Sequence, residues 1–571
     1  MVAPHRARIV GTRHMAAAGQ YLAAQAALQI LEAGGNAIDA GVAGGITLGI
    51  VQSEYVGFGG VAPIMIYLAE TEEVVTISGL GTWPKMTSLD VINAEHGGRI
   101  PHGIRQTIVP AAPDAWITAL ELYGTMSYGE VAASALRFAR DGFPVPSLMS
   151  DIITHYEKEF HCATSNSDIY LPGGKPPRTG DLFVQSNLAR TIQYMIDEER
   201  AAAAKGGRLA GLAAARDAFY KGDIARAIVA YHIEHGGWMR ADDLAEFRVE
   251  VAPAWKAGYA GIDVYTCGPW CQGPVLGETL NILDGIDLKS LGHNSAAYIH
   301  QLVEALKLAY ADRHELYGDP NFVDVPMAEL LSPGYAARRR REIDPAKASP
   351  GMPAAGLPSN WLPDLTPKEE GRDSARHVDT SYVCVVDSRG NAFSGTPSDG
   401  PMSSPVIPGL GFTPSARGAQ SSVDPRAPSV LGPGRRPRLT PSPSFARKVG
   451  EWIMPFGSPG NDVQPQAMLQ AFLNIHVFGM SPQQAIDQPR FATFSYPRTS
   501  DPHPYSPGLL SIEARIPAGT REELAALGHR VELWPDWEYA AGGVSTIIAD
   551  VNTGMMEGGS DPRRPTAVVG W

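Results

Sequence analysis

Cysteine is scarce, with 4 in 571 residues, which excludes the disulfide framework that holds small secreted domains together. No run of ~20 apolar residues occurs, so no membrane-spanning helix is expected. Positive charge is in the minority: 47 Lys and Arg against 60 Asp and Glu leave a formal charge of -13. Such a chain has no overall cationic surface with which to bind nucleic acid or an anionic membrane. Familiar enzyme signatures are missing as well: there is no Walker loop, HExxH, GxSxG elbow, or dinucleotide fingerprint in a βαβ setting. Cys267 and Cys271 are separated by three residues, not the two of a thioredoxin motif, and no second Cys/His pair nearby completes a zinc site. They read as free thiols in a loop, and His161-Cys162 as structural. No metal or organic cofactor is expected, and small-molecule chemistry is the class that remains.

What is present is apolar material for a large core: 44% hydrophobic residues, with 61 Gly and 47 Pro. Length alone, at ~150 residues per domain, suggests three or four domains. After a basic start, Tyr21, Ala24, Leu28 and Leu31 share one helical face while Gln25, Gln29 and Glu32 lie on another. That pattern predicts an amphipathic structural helix, not a signal peptide, and a cytoplasmic protein. Gly34-Gly35 should stop this helix, and Asn36 should cap the next with Asp39 three positions in. Gly41, Gly44 and Gly45 mark the second helix as buried in close backbone contact. Residues 64–68 and 74–78 read as an antiparallel hairpin.

From about 112 to 320 the pattern is mainly helical, clearest where Ser295 starts a helix with Ile299, Leu302, Leu306 and Ala309 on one face. Six prolines between Pro345 and Pro367 make residues 345–378 an irregular, exposed linker. Strand-like runs at 380–387 and 391–396 follow, joined by Ser388-Arg389-Gly390. Residues 397–443 are loop-rich. A strand at 452–456, a helix at 466–478 and a strand at 545–551 then restore regular structure.

Thr380, the first residue of a strand after a long irregular segment, means little by itself, since β-branched residues commonly open strands. The surrounding stretches give it weight. LEAGGNAIDAGVAGGITLGIV (31–51), GFGGVAPIMI (57–66), LYGTMSYGEVAASALRFARDGFPV (122–145), EALKLAYADRHELYGDPNFVDVP (304–326), DTSYVCVVDSRGNA (379–392), GSPGNDVQPQAMLQ (457–470) and GGSDPRRPTAVVGW (558–571) resemble, in order, segments of the γ-glutamyltranspeptidase family. The resemblance implies an N-terminal-nucleophile hydrolase of α+β class, a four-layer αββα sandwich made as one precursor. Cleavage between Asp379 and Thr380 would leave a large fragment, 1–379, and a small one, 380–571, associated as a heterodimer.

On that resemblance Thr380 is the nucleophile. A threonine hydroxyl needs a base, and cutting before Thr380 creates one, because a free α-amine titrates near ~8 against ~10.4 for lysine. Ser398 lines up with a family threonine whose hydroxyl supports the nucleophile. Gly460 and Asn461 line up with the glycine pair whose N–H groups form the oxyanion hole; an asparagine keeps the N–H but has less backbone freedom. The family arginine that pairs with a glutamyl carboxylate is replaced by Leu80, its amine-binding asparagine by Gly400, and its serine pair by Leu439-Thr440. Thr440 and Arg417 are the candidate substrate-binding residues, Arg417 as a replacement cation.

The expected reaction is cleavage of a small-molecule acyl amide through an acyl-enzyme on Thr380, with water or an amine as acceptor. A γ-glutamyl compound is the family default. Leu80 favours the alternatives of an oxamate-like or a glutaryl or cephalosporin-type acyl group. A non-catalytic homologue acting as a binding protein is the reading from another class.

Overall fold

The computed structural model describes residues 6–359, 361–367 and 380–571. Asn36 caps the helix Ala37–Val51 in the expected reciprocal box: its side chain accepts from the Ile38 and Asp39 amides, and Asp39 Oδ2 accepts from the Asn36 amide. Every residue of this helix is buried. Its glycines explain how: a Cβ at Gly41 would lie 2.2 Å from the Phe393 ring, and one at Gly45 2.4 Å from Trp116. The preceding helix, Tyr21–Glu32, forms as expected with Ala24 and Leu31 buried and Gln25, Gln29 and Glu32 exposed, but Tyr21 of the expected face is not buried. Ala23, Ala24, Ala26, Ala27 and Leu31 are buried, whereas Tyr21 is 44% exposed. Two helices this close accept methyl groups between them and exclude a phenol.

Two antiparallel seven-stranded sheets form the centre. One runs Ala567–Gly570, Met15–Ala18, Val383–Val386, Ala392–Gly395, Ile64–Leu68, Glu73–Ile77, Val251–Pro253; the other runs Ile9–Gly11, Met556–Ser560, Ser545–Asp550, Trp452–Gly457, Ser444–Lys448, Ile262–Thr266, Trp255–Tyr259. The period-two pattern of the strands divides the apolar residues. Val383, Val385, Ile64 and Ile66 pack with the helices Tyr21–Glu32 and Ala37–Val51. Their neighbours Cys384, Val386, Met65 and Tyr67 join Phe445, Ile453 and Ile547 of the other sheet in a cluster between the sheets. Ala446, Met454 and Phe456 face the helices Gly273–Leu283, Ala296–Leu316 and Gln464–His476. The protein is therefore α+β.

Segments from before and after Thr380 share both sheets: Val383–Val386 pairs with Met15–Ala18, and Ser444–Lys448 with Ile262–Thr266. The three or four separate domains suggested by length give way to strands interleaved across the chain.

Two expectations need correction. The region read as mainly helical contains the strands Val251–Pro253, Trp255–Tyr259 and Ile262–Thr266. Two of these, Val251–Pro253 and Trp255–Tyr259, are edge strands, and their exposed positions break the apolar alternation that marks a strand. In the linker, residues 345–359 and 361–367 form neither helix nor strand. They are less exposed than expected, however: Ala348, Met352 and Trp361 are buried, and Trp361 Nε1 donates to Asp424 at 2.9 Å. Apolar residues among the prolines dock instead of remaining in water. Linker residues 368–378, with Asp379 of the expected cleavage junction, lie outside the described residues. Among the described residues no helix is long and apolar enough to cross a membrane.

Candidate active site

Thr380 and Ser398 face each other across an antiparallel bridge, which Ser398 continues by exchanging backbone hydrogen bonds with Val61 at 3.0 and 3.3 Å. Thr380 Oγ1 and Ser398 Oγ are 2.7 Å apart, and both residues are buried. The next residue is pinned as well: Ser381 Oγ donates to Gln52 Oε1 at 2.6 Å, and Gln52 Nε2 donates to the Gly19 carbonyl at 3.1 Å. A Cβ at Gly19 would stand 2.0 Å from Ser381 Oγ, so glycine is what permits this approach.

The loop after Ser398 brings the charge. Asp399 adopts a left-handed backbone, φ 101, and its carboxylate accepts from Ser415 Oγ at 2.5 Å and the Ala416 amide at 3.2 Å. Arg417, buried, donates from Nη2 to Ser398 Oγ, while its Nε lies 4.0 Å from Asp399 Oδ2. Gly400 lies against the backbone of Glu54, where a Cβ would come within 2.5 Å of the Glu54 carbonyl oxygen. A side chain in that place is sterically excluded. Burial pushes the Glu54 carboxyl up to about 8, so it is mostly protonated at neutral pH.

The single turn Arg417–Gln420 carries Arg417 to Ser398 and, three residues on, Gln420 to Thr440. Gln420 Nε2 donates to Thr440 Oγ1 at 2.9 Å, and the Thr440 amide donates back to Gln420 Oε1 at 3.0 Å. Gln272 Nε2 then ties Thr440 to the other expected pair, donating to the Thr440 carbonyl at 2.9 Å and the Asn461 carbonyl at 2.7 Å. Gly460 and Asn461 form a turn with φ of 131 and 48, between the strand Trp452–Gly457 and the helix Gln464–His476. Beneath it Asp462 accepts from Arg313, from Thr499 Oγ1 at 2.6 Å and from the Thr499 amide at 3.0 Å. Burial alone would raise the Asp462 carboxyl; Arg313 and the Thr499 bonds outweigh it and hold the group below its ordinary value.

Thr380, Ser398 and Arg417 thus form one hydrogen-bonded set, and Thr440 and Asn461 belong to a second that the Arg417–Gln420 turn adjoins. Leu80 is buried in an apolar cluster with Trp83, Trp270 and Leu439. Sequence reasoning missed Gln52, Gln272, Gln420, Asp399 and the Arg313–Asp462 pair. Isolated glutamines carry no spacing signal; an Asp beside Ser398 and another beside Asn461 were the only available hints.

His300, Glu304 and His529 form a buried group of metal-ligating type. Its atoms are already committed: His300 Nδ1 meets His529 Nε2 at 2.9 Å, and Glu304 accepts from the buried Lys307 at 2.7 Å. A dication beside that ammonium would add uncompensated buried charge, so the residues present do not fit a metal. Cys267 and Cys271 are free and buried, and their mutual hydrogen bond, followed by burial, raises the Cys267 thiol.

Thr380 is not the first residue of a strand as expected: it stands in an isolated bridge three residues before the strand Val383–Val386. A buried threonine hydroxyl, held by a second hydroxyl that a guanidinium polarises, is the equipment of a hydrolase that uses a hydroxyl nucleophile. The chain belongs to the gamma-glutamyltranspeptidase family, whose model matches residues 23–571. It is 33% identical over 569 residues to the glutathione hydrolase-like YwrD proenzyme of Bacillus subtilis (strain 168), covering 98% of this chain and 99% of that one. It is 33% identical to the acylase ACY 1 proenzyme of Pseudomonas sp. (strain SE83), covering 94% and 90%. The crystal structure of a cephalosporin acylase from Bacillus halodurans superposes with a TM-score of 0.85 at 28% identity, covering 100% of this chain and 98% of that one. The family and these relatives make this chain an enzyme of the amidohydrolase kind.

Proposed function

We propose that the protein is a self-processing amidohydrolase and acyltransferase built on the αββα sandwich of N-terminal-nucleophile hydrolases. The sandwich reading is supported by the three apolar clusters, one between the sheets and one under the helices on each side. In the precursor, Thr380 Oγ attacks the Asp379 carbonyl and the acyl group moves from nitrogen to oxygen. Water hydrolyses the resulting ester, leaving an Asp379 carboxylate and a Thr380 α-amine. The fragments 1–379 and 380–571 stay associated through their shared sheets.

In the mature enzyme the α-amine takes the hydroxyl proton as Oγ attacks the amide carbonyl of a small-molecule donor. The Gly460 and Asn461 N–H groups receive the oxyanion. The leaving amine departs with the proton, and water or another amine then takes the acyl group. Thr440 and Arg417 line the acyl site. The setting is the cytoplasm. The observation that carries this reading is the 2.7 Å contact between Thr380 Oγ1 and Ser398 Oγ.

A non-glutamyl acyl group is the second reading, favoured by the apolar burial of Leu80 and the filled space at Gly400. Asp399 and Asp462 are engaged by Ser415 and Arg313, so neither is placed to receive an α-ammonium.

Denaturing gels of fresh protein should show two fragments, the smaller beginning at Thr380 by mass spectrometry, and Thr380→Ala should remain one uncut chain. Persistence of the full-length wild type would instead support a non-catalytic homologue. Robust turnover of γ-glutamyl-p-nitroanilide, competed by glutathione, with none of glutaryl-p-nitroanilide, would defeat the non-glutamyl reading.

A further inference from the structure

We propose that Gln272 is a positioning residue: its side-chain amide fixes the direction of the Asn461 N–H and locks that donor to the Thr440 loop. The inference rests on the proposed oxyanion role of Gly460 and Asn461 and adds what aims it.

The turn that carries these donors stands at the Thr380 end of the sheets. The strand Trp452–Gly457 finishes against Tyr382, two residues after Thr380: a Cβ at Gly457 would stand 2.3 Å from the Tyr382 ring. In the turn beyond it, each planar trans peptide points its N–H opposite to its C=O, so whatever holds a carbonyl also aims the amide across the bond. The Gly460 carbonyl accepts from the Val463 amide at 2.8 Å, which turns the Asn461 N–H away from Val463. The next peptide is fixed at the Asn461 carbonyl, which accepts from the Gln464 amide and from Gln272 Nε2 at 2.7 Å. Two of these three bonds lie within the turn itself. Gln272 supplies the one from outside, and a left-handed φ of 48 at Asn461 is a sparsely populated conformation that its surroundings must hold.

The Gln272 amide has one workable orientation. Its Oε1 accepts from Arg313 Nη1 at 3.3 Å, and a guanidinium can only donate. Flipped, the amide would set an oxygen against two carbonyls and an NH2 against the guanidinium. Its two N–H bonds therefore go to the Asn461 carbonyl and, at 2.9 Å, to the Thr440 carbonyl. Arg313 also bonds Asp462, the residue after Asn461, so Gln272, Asn461, Asp462 and Arg313 close a ring. Gln272 is fully buried, and its backbone amide donates to the Leu439 carbonyl at 2.9 Å, so the ring is anchored to the strand-like segment that precedes Thr440. The residue proposed to line the acyl site and the N–H proposed to receive the oxyanion are thereby kept at one spacing.

The test measures kcat and KM of wild type, Gln272→Met and Gln470→Met with whichever of glutaryl- and γ-glutamyl-p-nitroanilide the wild type hydrolyses. Methionine keeps the length and loses every hydrogen bond. Gln470 is the control: its Nε2 also donates to two carbonyls, those of Gln466 and Phe491 at 3.0 and 2.8 Å, but further along the helix Gln464–His476 from the turn. Acylation and deacylation both pass through an oxyanion that exists only beyond the ground state, so Q272M should lower kcat roughly 10- to 100-fold with KM changed by less than about twofold. Q470M should lose comparable stability and keep its kcat. A wild-type kcat in Q272M would overturn the role, as would an equal fall in Q470M. A Q272M defect confined to KM would also overturn it and leave Gln272 a support of the Thr440 loop alone. If Q272M does not mature, Gln272→Glu decides: it keeps the length and the bond from Arg313 but turns an oxygen toward both carbonyls. A fall in its kcat of roughly tenfold or more at neutral pH, with KM held, supports the proposal; a wild-type kcat overturns it. A wild type that stays uncut and hydrolyses neither anilide overturns the proposed function itself. A mature, active wild type with an unaffected Q272M overturns only this inference.

Discussion

Arg313 and Arg417 are both buried near the candidate site, and their surroundings differ. Arg313 is fully buried against Asp462 and donates also to Thr499 Oγ1 at 3.1 Å and the Pro497 carbonyl at 2.9 Å. Its charge is cancelled where it sits, and its work is to hold the loop beneath Gly460 and Asn461. Arg417 donates to the Ser398 hydroxyl, with Asp399 Oδ2 4.0 Å from its Nε. The contrast lies in the partners, since both are arginines at similar depth: one is bonded to a carboxylate beneath the Gly460–Asn461 turn, the other to a hydroxyl beside Thr380.

The comparison can be broken most directly at Arg313. Arg313→Ala should strand the Asp462 carboxylate and cost about 3–5 kcal/mol of stability, read as a lowered urea midpoint, whereas R417Q should lose less than half of that. Equal losses would erase the distinction.

Glu54 offers the next effect. No cation among the described residues draws its carboxyl down, and burial takes it to about 8. Between the ordinary carboxylate range and that value the unfolded chain releases a proton the folded chain keeps, so stability falls as pH rises through this window and levels off above it. Glu54→Gln should remove the slope and be roughly 2–3 kcal/mol more stable than wild type at pH 7, with no difference near pH 4. Parallel stability curves for the two proteins from pH 4 to 8 would contradict this.

The smallest effect is expected at Asn461. Its left-handed φ of 48 is a region that asparagine tolerates and glycine prefers. Asn461→Gly should change stability by no more than about 0.5 kcal/mol and turnover by less than about threefold, because the N–H remains. Asn461→Ala should cost about 1 kcal/mol more in thermal unfolding.

Much of the fold was legible because its signals are local. The Asn36–Asp39 box, the hairpin at 64–78 and the helix begun by Ser295 stand where residue spacing placed them, and two strands flank Ser388-Arg389-Gly390 as expected, although the first begins at Val383 and not at Thr380. The edge strands Val251–Pro253 and Trp255–Tyr259 were not legible, because half-exposed strands blur the alternation, and Tyr21 misled because the buried face of its helix is made by alanines and Leu31. At the site, collinear resemblance to a family singled out Thr380, Ser398, Thr440 and Asn461. It gave no sign of Gln52, Gln272 or Gln420, the buried amides that hold three of them or their neighbours in place.

The sequence by itself determined most of the regular elements, the candidate nucleophile Thr380, and the replacement of a family arginine by Leu80. Tertiary structure alone decided which polar groups meet: Gln52 reaches Ser381 across 329 positions, and Arg313 reaches Asp462 across 149. Helix and strand signals lie in the periodicity of consecutive residues. The partners of a buried charge are set only when stacked sheets and helices bring distant loops to one end of the core, and that placement decided that Arg417 would lean on Ser398.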